Sequence, residues 1–127
     1  MNLLLDTHIL LWWLADSAKM KDEAHSAISD GANTVWVSAA SAWEISIKRA
    51  LGKLKAPPDL EGAVSRSGFS PLPITLRHAD GAGRLPRHHD DPFDRMLIAQ
   101  ASAENLTIIT HDARFRPYGV RMLLNQS

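Results

Sequence analysis

The chain has no cysteine among its 127 residues. That excludes disulfides, thiolate zinc sites and a cysteine nucleophile. It also lacks an excess of either charge, with Lys plus Arg at 14 and Asp plus Glu at 14. Such a balance does not advertise a protein that lives on phosphate contacts alone, although a bound cation can supply positive charge locally. Long hydrophobic runs are absent too. The longest, Ile9–Ala15, falls far short of the roughly 20 residues that span a bilayer. With no basic signal-type region before it, the expected location is the cytoplasm, with no membrane partner. There is no glycine-rich phosphate loop, internal repeat, low-complexity tract or linker. The length suits one domain, residues 1–127, large enough for its own core.

What is present is a regular alternation of short apolar runs and amphipathic stretches. Asn2–Leu5, Val35–Val37, Phe69–Ile74, Leu106–Thr110 and Val120–Leu124 read as strands. Between them, helices are expected over Ile9–Ala15 (capped by Thr7), about Met20–Asp30, from Ser38 or Ser41 to Gly52, Pro58–Ser67, Thr75–His78 and from Asp91 to Asn105. Gly81–Pro86 reads as a loop, and Trp43, Ile47, Ala50 or Leu51, and Leu54 as the apolar stripe of the third helix. Alternation of this kind predicts an α/β fold with a mostly parallel five-stranded sheet. Prolines 71 and 73 cannot donate to a ladder, so the third strand belongs on an edge. With the first strand central, the order is 3-2-1-4-5.

That order gives four acids a common address. Asp6 ends strand 1 and Asp112 follows strand 4, while Glu44 and Asp94 lie near the starts of the helices after strand 2 and before strand 4. Ligands of open α/β sheets sit at those strand ends. Three of these acids also have a local reading. Asp94 can serve its helix N-terminus, Asp112 can cap a turn, and Glu44 fits both a capping box with Ser41 and an ion pair with Lys48. Lys48, Arg49, Lys53 and Lys55 form a modest basic cluster that is either a solvated face or a contact for RNA phosphates. Together, four carboxylates repel one another and raise each other's pKa unless a cation joins them. All-oxygen ligation favours Mg²⁺, or Mn²⁺ as a substitute, and two such ions suit phosphodiester hydrolysis. His88 and His89 are set aside as loop residues that solvate or cap, because no Cys or helical His pair completes a zinc site.

The segments LLLDTHILLWWL (3–14), VSAASAWEISIK (37–48), HDDPFDRMLIAQA (89–101) and THDARF (110–115) resemble the motifs of PIN domains of the VapC toxin type. The resemblance runs nearly end to end and is most specific in the DPFDR block with its leading His89. It implies a PIN-like three-layer α/β/α sandwich and a Mg²⁺-dependent endoribonuclease that is usually a homodimer, cleaves RNA and is neutralised by a cognate antitoxin. Matched by position, the family's catalytic and metal-binding acids fall on Asp6, Glu44, Asp94 and Asp112. Asp91 matches a further acid, Thr110 the hydroxyl before the last acid, and Thr7 and Arg95 stand beside the acids as supporting residues. Arg95 is expected to orient a phosphate or pair with an acid. Asp90 departs from the pattern and adds negative charge near the cleft.

Two alternatives belong to other classes. A receiver-like phosphoacceptor domain needs an acceptor Asp after strand 3 and a Lys after strand 5, where this chain has Pro73-Ile74-Thr75 and Asn125. A catalytically inactive PIN-like binding module would have lost an acid, and none is missing. One further expectation concerns Trp12 and Trp13. Neighbours on a helix point about 100° apart, so at least one is expected in a protein interface.

Overall fold

The computed structural model describes residues 1–126. In chain order the elements are β1 (Asn2–Leu5), α1 (Thr7–Leu14), α2 (Asp22–Ser29), β2 (Thr34–Ser38), α3 (Ala39–Ala50), α4 (Leu60–Arg66), β3 (Ser70–Leu72), α5 (Leu76–Arg84), α6 (Pro92–Glu104), β4 (Thr107–Thr110), a 3₁₀ helix (Ala113–Tyr118) and β5 (Met122–Leu124). The five strands form one sheet in the order β3-β2-β1-β4-β5. Every pairing is parallel, with Leu4 of β1 opposite Trp36 of β2 and Ile108 of β4. The expected order is therefore the observed one.

Period-2 alternation along β1 explains the layers. Leu3 and Leu5 face a cluster containing Ile9, Leu10, Ile28, Val35, Val37, Ile45 and Ile109, supplied largely by α1, α2 and α3. Leu4 faces the other way, into Leu72, Leu97, Ile98, Ile108 and Phe115, supplied largely by α6 and the 3₁₀ helix. A strand buried on both faces needs an unbroken apolar run, which is what Leu3-Leu4-Leu5 provides. At roughly 1.5–3 kcal/mol per buried leucine, this tripeptide anchors the sheet by several kcal/mol. Among the described residues no helix is long and apolar enough to cross a membrane.

Several local expectations need correction. The cap of α1 is Asp6, whose side chain accepts from Ile9 N, and Thr7 is the first helical residue. Ser38 caps α3 by accepting from Ala40 N, so Ser41 lies inside the helix and forms no capping box with Glu44. The stripe on α3 is also rotated. Its buried residues are Ala40, Ser41, Glu44 and Ile45, whereas Trp43 is 63% exposed and rests edge-on against Phe93 at 5.5 Å. Burying Glu44 turns its neighbour Trp43 outward by the helical step of about 100°.

Helix α5 does not stop at His78 but continues through Gly81 and Gly83 to Arg84. Interior glycines cost a helix roughly 1 kcal/mol each relative to Ala, and packing against α6 offsets this. A Cβ on Gly81 would meet that of Ala99 at 3.7 Å. Thr75 caps α5 as expected, with His78 completing a capping box. At α6 the cap is Asp91, Pro92 opens the helix, and Asn105 closes it in the left-handed region at φ 56°. Trp12 and Trp13 both remain half-buried at the edge of the first cluster. Trp13 sits 5.9 Å from Phe69 and 5.0 Å from His25.

Candidate active site

The carboxyl ends of β1 and β4 and the N-terminal turns of α1, α3 and α6 meet at one end of the sheet. Asp6 is almost wholly buried there, 3% exposed. Its Oδ1 accepts from Ile9 N at 2.9 Å, and its Oδ2 accepts a very short bond from the Thr110 hydroxyl. Burial raises its pKa, and those two hydrogen bonds pull it back. Thr110 Oγ1 also accepts from Asp112 N at 3.0 Å. One hydroxyl therefore ties the acid after β1 to the turn after β4.

Glu44, 4% exposed, is held from both sides. Thr7 Oγ1 donates to Oε1 at 2.6 Å, and Lys48 Nζ donates to Oε2 at 2.5 Å. Ser41 Oγ lies 3.1 Å from the same threonine hydroxyl. The ion pair raises the Lys48 pKa. Of the basic cluster, Lys48 is thus engaged with Glu44, and Arg49 donates to Pro57 O at 2.7 Å.

Asp94 sits in the first turn of α6, where its Oδ2 lies 2.6 Å from His89 Nε2. Burial pushes this carboxyl up to about 6, with repulsion from Asp91 and Asp6 adding to the rise and the His89 contact opposing it. Asp91 uses Oδ1 to accept from both Phe93 N and Asp94 N, at 2.8 and 3.0 Å. Asp112 caps the 3₁₀ helix through Arg114 N, and the Arg114 guanidinium grips both its oxygens, holding its pKa below the ordinary value.

Not all four predicted acids converge on one point. His89, Asp94 and Asp112 each offer a ligand atom, and these atoms lie within 4.8 Å of one another. Two carboxylates and an imidazole at that spacing fit a divalent cation. Asp6 and Glu44 stand alongside with their oxygens already bonded to protein donors. Asp6 is close enough to raise the Asp94 pKa, and Glu44 and Asp94 both act on His8.

His89 is the residue that sequence reasoning set aside. It is 7% exposed rather than solvated. The Tyr118 hydroxyl accepts from its backbone N–H at 2.8 Å, and its ring packs near Phe115. The signal that could have found it was the resemblance itself, in which His89 leads the DPFDR block. Arg95 is corrected as well: among the described residues its guanidinium bonds to no carboxylate. Its guanidinium donates to the carbonyls of Ala82, Leu85, Pro86 and His89, and this clamp fixes the loop that delivers His89.

The comparisons with known proteins agree with this architecture. The family model described as PIN domain matches residues 3–120. Ribonuclease VapC16 of Mycobacterium tuberculosis is 38% identical over 66 residues, a match that spans 49% of this chain and 47% of that protein. VapBC2 from Rickettsia felis bound to promoter DNA superimposes with a TM-score of 0.70 at 17% identity, over 99% of this chain and 100% of that one. DNA-bound VapBC from Salmonella typhimurium gives 0.70 at 18% identity, over 99% of each chain. VapBC-5 from Mycobacterium tuberculosis, described as a member of a family of toxin-antitoxin systems, gives 0.60 at 17%, over 99% and 98%. At these identities the solved structures speak for the fold, whereas the family model covers nearly the whole sequence, and by that match the chain belongs to the PIN domain family.

Proposed function

We propose that this protein is a divalent-metal-dependent endoribonuclease that hydrolyses RNA phosphodiester bonds, and that it is the toxin of a toxin–antitoxin pair. The observation that carries the reading is the meeting of His89, Asp94 and Asp112 within reach of one ion, with Asp6 and Glu44 beside them. The names of its relatives, a ribonuclease and members of VapBC toxin-antitoxin systems, support the same reading. They also support an antitoxin partner and, by family habit, a homodimer.

Asp94 and Asp112 are the residues that would hold the ion, with Asp6 and Glu44 completing the acidic surround and Mg²⁺ or Mn²⁺ the preferred species. When bound, such an ion supplies Lewis acidity toward a phosphodiester and makes a water more acidic at neutral pH. The chain's own residues prepare this. His89 orients Asp94 by fixing one of its oxygens, leaving the other free. Thr110 couples Asp6 to Asp112, so the two strand ends keep their separation. Thr7 and Lys48 hold Glu44 in one rotamer, and Lys48 and Arg114 each balance one carboxylate while substrate phosphate is absent.

The test is RNA cleavage by purified protein with Mg²⁺ or Mn²⁺, in EDTA, and after metal is restored. Cleavage should vanish on chelation and return with added metal. Equal cutting in excess EDTA would overturn the metal dependence.

A further inference from the structure

Three aromatic rings line the rim of the acid cluster. His8 lies in the first turn of α1, one turn before Trp12, and His111 lies between Thr110 and Asp112. The His8 and His111 rings meet edge to face at 5.1 Å, and Trp12 lies 5.0 Å from His111 and 6.1 Å from His8. Both imidazoles are exposed and Trp12 is half-buried. The cluster touches the acids directly, for His111 Nδ1 is 3.8 Å from Asp6 Oδ2. Lys19 Nζ stands 5.6 Å from the Trp12 ring centroid, which sets a cation beside the rings on a chain with no net positive charge.

Exposed rings next to an acid cluster are an odd choice for stability alone. They bury little, and solvated charged side chains would serve that surface equally well. For a nuclease they have a use. Every nucleobase has a π-face, so a ring platform holds single-stranded nucleic acid whatever its sequence, and a nearby cation meets the backbone. We propose that His8 and His111, backed by Trp12, stack a base of single-stranded RNA next to the phosphate presented to the acids, with Lys19 meeting a flanking phosphate. This rests on the ribonuclease reading and adds the substrate-positioning surface.

The experiment separates the two. A ten-nucleotide RNA of mixed sequence and an abasic ribose-phosphate chain of equal length carry equal charge and differ only in their bases. Their affinities for the full-length protein are measured by fluorescence anisotropy in Ca²⁺, and RNA cleavage is measured separately in Mg²⁺. The wild type should prefer the RNA by about tenfold. His8→Ala and His111→Ala should each lose most of that preference, whereas His8→Phe should keep it, because stacking needs a ring and not a proton. Circular dichroism checks that each variant is folded, and Trp12→Phe covers the case in which an alanine variant is not. Equal wild-type affinity for the two chains, with cleavage intact, would overturn the platform and leave the ribonuclease reading standing. Binding of neither chain and no cleavage would overturn both. Alanine variants that keep the base preference but lose affinity for a protein partner would assign the rings to a protein interface and overturn the platform.

Discussion

The acids at this end of the sheet form two halves that share residue types and differ in how they are held. In the half built on β1, α1 and α3, Asp6 and Glu44 are nearly buried and each oxygen already meets a donor: Ile9 N, Thr110, Thr7 or Lys48. In the half built on α6 and the turn after β4, Asp94 has one partnered oxygen and a pKa pushed up to about 6. Asp112 there is bonded on both oxygens as well, but by Arg114, whose guanidinium is exposed. A carboxylate bonded to fixed protein donors is a piece of architecture. One held away from water with an unmet charge is poised to accept a cation. Under the proposed function, the first half sets the frame and Asp94 in the second is the acid left to meet an ion.

The largest effect is expected from Asp94→Asn. As an ion-holding residue, Asp94 should lose activity beyond the roughly 10–100-fold that loss of an outer partner costs. If it only serves the helix N-terminus, activity should survive and stability should fall by about 0.3–1 kcal/mol. Cleavage rates and chemical denaturation of the metal-free variant distinguish these outcomes, and an active, destabilised protein would remove Asp94 from the site.

The next effect is thermodynamic, and its sign differs between Asp94 and Asp112 and between the Asp94 and Glu44 variants. The Asp94 folded-state pKa lies above its ordinary 3.8, so between about pH 4 and pH 6 the fold binds more protons than the unfolded chain. Metal-free stability should therefore fall as pH rises through that window, by as much as on the order of 3 kcal/mol. Burial of Asp6 acts in the same direction. Asp112, lowered by Arg114, instead contributes stability above its ordinary pKa that is lost as pH drops toward its lower folded value. Asp94→Asn should flatten the decline and stabilise the metal-free protein at pH 7. Glu44→Gln should destabilise it by about 1 kcal/mol, since the Thr7 bond survives to the amide oxygen and only the half-exposed Lys48 pairing is lost. Urea midpoints at pH 4, 5, 6 and 7 report both. The same sign for the two variants would erase the distinction between the halves.

The smallest effect belongs to Asp91. Its oxygen accepts from two amides of the first turn, so Asp91→Ala should cost about 1 kcal/mol of stability by thermal unfolding. A loss much larger than that would mean that Asp91 supports Asp94 and His89 as well as the helix.

The sequence by itself determined the frame. The run Leu3-Leu4-Leu5 suits a strand buried on both faces. Pro71 and Pro73 send the third strand to an edge, and Asp91-Pro92 and Asn105 bound α6. Each of these signals acts within a few residues, through backbone geometry or side-chain periodicity, and from them follow the strand order and the shared address of the acids. Tertiary structure decided what lies across the fold. Which face of α3 turns inward depended on Glu44 finding Thr7 on α1, so the apolar pattern around Trp43 misled. How far α5 runs depended on α6 offsetting the cost of two glycines. The Thr110–Asp6 bond joins residues 104 apart in sequence, and His89 reaches Asp94 only because Arg95 and Tyr118 pin its loop. No local pattern encodes such contacts, because hydrogen bonds between distant segments exist only after the sheet has brought the strand ends together.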